Sequence, residues 1–275
     1  MEAPNARAEP VELEHDRLFD TCRRCFEKET ICRHSSWEAL AAWIERGRRG
    51  ERLTVVSTAC PAYSYARAAG EASRYTYRGL AGDIGLAGKR FFRSLDAVHR
   101  LLREDLGISN FRHEVLVADF EGFTRASLKR IGVTALEFSR KCRETAGAYR
   151  SEGGGRIRAG MFSNMFAGRE RWLRELTAMM SRANAGEFPQ LLDKEYLRNV
   201  GEERRTTFEE LFREPLAGSD MEQVVANRAI ELGTAGKLIC ELYRNPLILS
   251  ISDERFSGFF GLAADAPILD MSGMD

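Results

Sequence analysis

With 275 residues, 44% of them hydrophobic, the chain can bury one substantial core, and no apolar stretch approaches the roughly 20 residues needed to span a bilayer. The N-terminus, MEAPNARAEPVELEHD, lacks the basic and apolar regions of a secretory signal, so a cytoplasmic protein without membrane contact is expected. The formal net charge of zero hides a segregation: residues 125–174 carry twelve Lys or Arg against four Glu, and residues 175–275 carry ten against eighteen acidic side chains.

Taken in chain order, residues 11–30 and 35–47 have the three- and four-residue apolar spacing of amphipathic helices, the second opening on Ser35 or Ser36 with Glu38 close behind. Residues 1–50 are therefore expected to form a helical segment packed on a core built from 51–275. The run LTVVSTA, 53–59, is short, apolar and β-branched, as a buried strand is. An aromatic-rich loop is expected at 61–77. A long helix follows over 85–107, in which Phe92, Leu95, Val98, Leu102 and Leu106 share one face and Gly107 marks the stop. The next strand, 113–119, completes a β-α-β unit of a length suited to a right-handed parallel crossover. Two helices come next, at 123–131 and 134–150, the second with a Thr134–Glu137 capping box. SEGGG, 151–155, reads as a flexible break. A strand over 156–166 leads to a helix around Trp172, several helices fill 189–243, and strands are expected at 246–252 and 267–271. This order predicts an α/β fold: a single Rossmann-like domain with a mostly parallel sheet and helices on both faces.

Ligands of such sheets bind beyond the carboxyl ends of the strands, which draws attention to Ser57 on the first strand and to Asp119 and Glu121 after the second. Neither GxGxxG nor GxxxxGK[ST] follows the first strand. The spaced glycines 79, 82, 85 and 88 fit close packing or a backbone phosphate nest. Six cysteines are scattered without the density of a disulfide scaffold, so free thiols are expected. Cys22, Cys25, Cys32 and His34 have a spacing that could hold zinc, but the cysteines also share one helical face with Leu18, where small buried residues are needed. A hydrolytic triad is disfavoured, because Ser57 is not in GxSxG and none of His15, His34, His99 and His113 falls after a strand, where a base would be sought. If Ser57 is a nucleophile, a carboxylate, a tyrosine or the substrate itself must manage its proton. That condition favours acyl transfer from an already activated donor, with no metal and no organic cofactor.

The segments TVVSTACPAYSY, VLVADFEG with the paired helices after it, and KLICELYRNP together resemble tRNA-dependent cyclodipeptide synthases. The resemblance implies an acyl-serine mechanism fed by aminoacyl-tRNA, with Ser57 as acyl acceptor and Glu241 as acid/base group, flanked by Lys237. It further implies that Lys129, Arg130, Arg140, Lys141, Arg143 and Arg150 contact the tRNA backbone. Cys60, Tyr63, Tyr65, Asp119 and Glu121 would line the substrate site. The chain departs from the family pattern at Cys60, where asparagine is usual, at Val55 or Val56, where glycine is, and at Lys237, where tyrosine is. From its apolar neighbours Leu238, Ile239, Cys240 and Leu242, Glu241 is expected to be partly buried with a raised pKa.

Two other functions fit the same residues. One is a methyltransferase using S-adenosylmethionine, with Asp119 or Glu121 holding the ribose, although CPAYSY offers no glycine for close approach of the cofactor. The other is a noncatalytic RNA-binding protein that uses the basic flank at 125–174.

Overall fold

The computed structural model describes residues 37–59, 61, 63–67, 75–119, 129, 132–165, 168–202, 217–244, 246–250, 258–263 and 266–270. In chain order these form helix α1 (Trp37–Arg48), strands β1 (Leu53–Ala59), β2 (Tyr63–Arg67) and β3 (Tyr75–Leu80), helix α2 (Gly85–Arg100) and strand β4 (Phe111–Val117). Then come α3 (Ala135–Gly153), β5 (Arg158–Met161), the single turn α4 (Phe162–Met165), α5 (Arg169–Asn184), α6 (Lys194–Glu202), the long α7 (Gly218–Tyr243), β6 (Leu247–Ser250) and β7 (Ile268–Asp270).

Five strands form one parallel sheet in the order β5-β4-β1-β6-β7. The chain builds outward from β1 through β4 to β5, then returns to lay β6 on the other side of β1. The strand order therefore reverses between β1 and β6, and their carboxyl ends are where an open α/β sheet offers a ligand crevice. As the central strand, β1 is covered on both faces, and all seven of its residues are buried.

Side-chain alternation divides the core in two. Leu53, Val55 and Ala59 of β1, with Val115, Val117, Leu247 and Leu249, meet α1, α2 and α3 on one face. Val56, Leu116 and Ile248 meet α5, α6 and α7 on the other. Helix α1 contributes Leu40, Trp43 and Ile44 to the first layer and is thus part of the same core as β1.

The α/β class and parallel sheet agree with the sequence, whereas two local expectations are corrected. The stretch expected as a loop at 61–77 contains an antiparallel pair, β2 with β3, in which Tyr65 stands opposite Tyr77 and a register shift falls between Ser64 and Tyr65. SEGGG is a helix stop: α3 runs through Gly153, and Gly154 takes the left-handed conformation (φ 53°) that closes a helix end. Of the spaced glycines, Gly82 before α2 and Gly88 within it serve close packing, because a Cβ at Gly82 would collide with Glu144 and at Gly88 with Ile84. With the Glu144 carboxylate against Gly82, a phosphate nest there is disfavoured. Helix α2 continues into one wider π-helical turn, Leu101–Asp105, in which Leu106 N–H donates to the Leu101 carbonyl (3.0 Å), and ends at Gly107 (φ 70°).

Helix α3 starts as the sequence predicts, with Thr134 Oγ1 accepting from Glu137 N–H at 3.1 Å. Thr134→Ala should cost about 1 kcal/mol, read as a lowered urea midpoint with an unchanged slope.

Candidate active site

Ser57 lies on the face of β1 that meets α2. The parallel register sets Val55 opposite His113 and Ser57 opposite Val115, so Ser57 and His113 are neighbours on one face of adjacent strands. Ser57 Oγ is 2.9 Å from His113 Nε2, and His113 Nδ1 is 3.0 Å from Nε2 of His99, which projects from the last turn of α2. The expectation that no histidine can serve Ser57 is therefore corrected. His113 sits near the start of its strand, but it shares the face of Ser57 two positions away in the register, and its ring reaches the hydroxyl.

The chain is enclosed. Ser57 is 0% exposed, His113 2% and His99 4%. The rings of Phe91 and Phe111 stand edge-on to His113 and His99, with centroids at 5.6 and 5.0 Å respectively. Burial pushes the His99 imidazole down to about 4, with the Arg103 guanidinium adding to the effect. Burial, and then His99, hold His113 well below the ordinary histidine range. Both rings are neutral at pH 7. Two proton arrangements satisfy the chain, one with Ser57 donating to His113 and His113 to His99, the other with every donation reversed. Only the first leaves a ring nitrogen ready to take the serine proton.

Glu241 and Lys237 are not part of this site. They lie near the end of α7, the helix packed on the opposite face, and α7 leads into the start of β6, so Glu241 is also near the amino edge of the sheet. The expected pocket shared by Ser57 and Glu241 is not formed, because the sheet stands between them. Glu241 is held by Lys237 and by Arg171 Nη2 at 2.7 Å, and Lys237 Nζ also reaches Glu175 at 2.8 Å. With its side chain 39% exposed, Glu241 has its pKa lowered, chiefly by the hydrogen bond from Lys237 and then by Arg171. The raised pKa expected from its apolar neighbours is corrected: Leu238 and Ile239 turn inward, whereas Glu241 and Leu242 face solvent.

Asp119, two residues past the end of β4, accepts hydrogen bonds from Ser163 N–H (2.9 Å) and from the Ser163 hydroxyl, which fixes the start of α4. Each carboxylate oxygen accepts one hydrogen bond from Ser163, so Asp119 holds the start of α4.

The basic residues on α3 have local partners. Arg140 (2.8 Å) and Lys141 (3.0 Å) share Glu144, Arg143 donates to Ser139 Oγ (3.1 Å), and Arg150 donates to the Ala159 carbonyl (3.1 Å), tying α3 to β5. Arg140, Arg143 and Lys129 nevertheless present exposed charge.

Cys60, Glu121, Arg130 and the Cys22, Cys25, Cys32 and His34 group lie outside the described residues, as do the side chains of Tyr63 and Tyr65, whose backbones belong to β2. Among the described residues, no group of three His, Cys, Asp or Glu side chains could hold a metal ion, and no helix is long and apolar enough to cross a membrane.

No protein-family model and no curated protein matches the chain. Among solved structures it is similar to the PvcA protein from Pseudomonas aeruginosa, with a TM-score of 0.50 and 14% identity over 96% of this chain and 76% of that one. The likeness is one of fold and agrees with the parallel α/β sheet described above.

Proposed function

We propose that the chain is an acyl-transfer enzyme that takes the aminoacyl group of an aminoacyl-tRNA onto Ser57, with His113 as base and His99 orienting it. The observation that carries this reading is the Ser57–His113–His99 hydrogen-bond chain, a nucleophile, a base and an orienting group in sequence. Ser57 Oγ attacks the ester carbonyl while its proton passes to His113 Nε2, and the ribose oxygen of the tRNA leaves with that proton. The amino group of a second aminoacyl residue then displaces Ser57 from the new ester, forming a peptide bond or, after a second closure, a cyclic dipeptide. An ester exchanged for an ester needs little driving force, so positioning can supply most of the acceleration. Glu241 and Lys237 have no part in these steps, and the reaction uses no cofactor.

A serine shut from bulk water protects an intermediate that hydrolysis would destroy. The donor ester has to arrive from the carboxyl end of β1, where Ala59 is the last strand residue. Incubation with charged, labelled tRNA should leave amino acid on the denatured protein. Ser57→Ala should remove it, and His113→Gln should slow its appearance about 10²- to 10⁴-fold. Equal labelling of wild type and Ser57→Ala would refute the reading.

The complete burial of Ser57 favours one second reading, in which the hydrogen-bond chain only ties α2 to the sheet and the protein binds RNA through the exposed cations of α3. That reading predicts salt-sensitive RNA binding indifferent to Ser57→Ala and to whether the RNA carries an amino acid.

A further inference from the structure

At the amino edge of the sheet, away from Ser57, two adjoining cavities of about 280 and 390 Å³ share Arg112, Leu242 and Tyr243 as walls. The smaller is also lined by Arg46, Arg52 and Arg244, and the larger by Arg158 and the Glu114 carboxylate. Five guanidinium groups thus converge on a concave surface. Arg46 is paired with Glu51 (2.8 Å) and Arg112 lies 3.5 Å from Glu114, but Arg52, Arg158 and Arg244 have no carboxylate partner among the described residues. The surplus of positive charge exceeds the half charge of opposite sign at the carboxyl end of α7.

Two further observations single out this surface. Arg244 closes α7 in the left-handed conformation (φ 50°, ψ 76°), the one described non-glycine residue with positive φ. A helix end of this kind ordinarily takes glycine, so an arginine here trades backbone strain of about 1 kcal/mol for a guanidinium at the cavity mouth. In addition, the Tyr243 hydroxyl is buried without a hydrogen-bond partner among the described residues, although Tyr243 walls both cavities. The Arg112 guanidinium lies over the Tyr243 ring, 5.6 Å from its centroid, which fixes its position. Burial, and then the Glu114 carboxylate, push the Tyr243 phenol up, so it stays a hydrogen-bond donor.

We propose that this amino-edge cavity binds the phosphate dianion of a small phosphomonoester, with Arg52, Arg112 and Arg244 as its cationic contacts and the Tyr243 hydroxyl as a neutral donor. The larger cavity beside it would take the organic part of the ligand. A phosphate dianion matches the donor set because guanidinium groups bind its oxygens in pairs, and a recess of 280 Å³ holds such a group where a flat polyanion site would not be recessed. The site is separate from Ser57 and does not depend on the acyl-transfer reading.

The test is calorimetric titration of the full chain with inorganic phosphate, with sulfate and a short single-stranded RNA for comparison. Phosphate should bind, and Arg244→Gly should weaken it about tenfold or more while leaving the melting temperature unchanged or higher, because glycine relieves the left-handed strain. Arg52→Gln should weaken it similarly. Phosphate binding that is absent, or equal in wild type and both variants, would overturn the proposal. RNA binding that both variants lose and phosphate fails to displace would also overturn it, by assigning the surface to a macromolecule.

Discussion

Gly236→Ala is expected to prevent the second layer from closing, because its Cβ would overlap main chain rather than a side chain that could move. Helix α7 lies against the short turn Gly258–Gly261, and a Cβ at position 236 would stand 2.8 Å from the carbonyl carbon of Phe260 and 3.1 Å from its Cα, with the carbonyl oxygen closer still. These are backbone atoms, with no rotamer to move aside. Phe259 and Phe260 are buried in the same layer as Ile248 and Ile268, so displacing the turn also disturbs β6 and β7. The alanine gains about 1 kcal/mol of helix propensity, but overlap with main chain in a packed core costs more, about 4 kcal/mol or above. Gly233→Ala is the control, because its Cβ would meet Leu262 atoms at 3.0 and 3.1 Å and the Phe259 carbonyl oxygen at 3.4 Å, contacts that small shifts relieve. Thermal unfolding should show a loss above 10 °C for Gly236→Ala, or no soluble protein, beside a change of a few degrees for Gly233→Ala. A Gly236→Ala protein that melts with the wild type would contradict the packing described here.

The second large effect concerns acid. His99 and His113 are held neutral in the fold, whereas in the unfolded chain they titrate at the ordinary value near 6.5. Below that value the unfolded state takes up protons that the folded state refuses, so stability is fully present above pH 6.5 and falls as the pH drops toward the folded value of about 4 for His99. At pH 5, His99 alone should cost about 2 kcal/mol, and His113 acts in the same direction. Most of this loss precedes protonation of ordinary carboxylates. Urea midpoints measured at pH 7.5, 6 and 5 should fall steeply for the wild type. A His99→Gln, His113→Gln double variant should start lower but stay flat between pH 6.5 and 5. A wild type equally stable at pH 7 and pH 5 would show that these imidazoles are not sealed.

The strands of the sheet could be read from the sequence because fully covered parallel strands are continuous apolar runs: LTVVSTA and PLILSIS announce themselves. The β2–β3 pair is harder to read: Tyr63 and Tyr65, like Tyr75 and Tyr77, alternate as in a strand, but the arginines, glycines and alanines around them suit a loop equally well. SEGGG looks alike as a linker and as a helix stop, and only the left-handed Gly154 distinguishes them. The site was half legible. Ser57 is identifiable from β1 alone, but His113 becomes its neighbour through the pairing of two strands distant in sequence, and His99 through the packing of α2, neither of which is encoded in local spacing. Glu241 shows the converse: local apolar neighbours implied burial, yet a helix side chain one position away from a buried face meets solvent. The ion pairs with Arg171 and Lys237 then lower its pKa.

The proposed chemistry is tested most directly by locating the acyl group. After brief reaction with aminoacyl-tRNA and acid quench, fragmentation mass spectrometry of the tryptic peptide Leu53–Arg67, which carries both Ser57 and Cys60, should place the added aminoacyl mass on Ser57. An adduct on Cys60, which neutral hydroxylamine would release as a thioester, or no adduct in a protein that still binds the RNA, would contradict it.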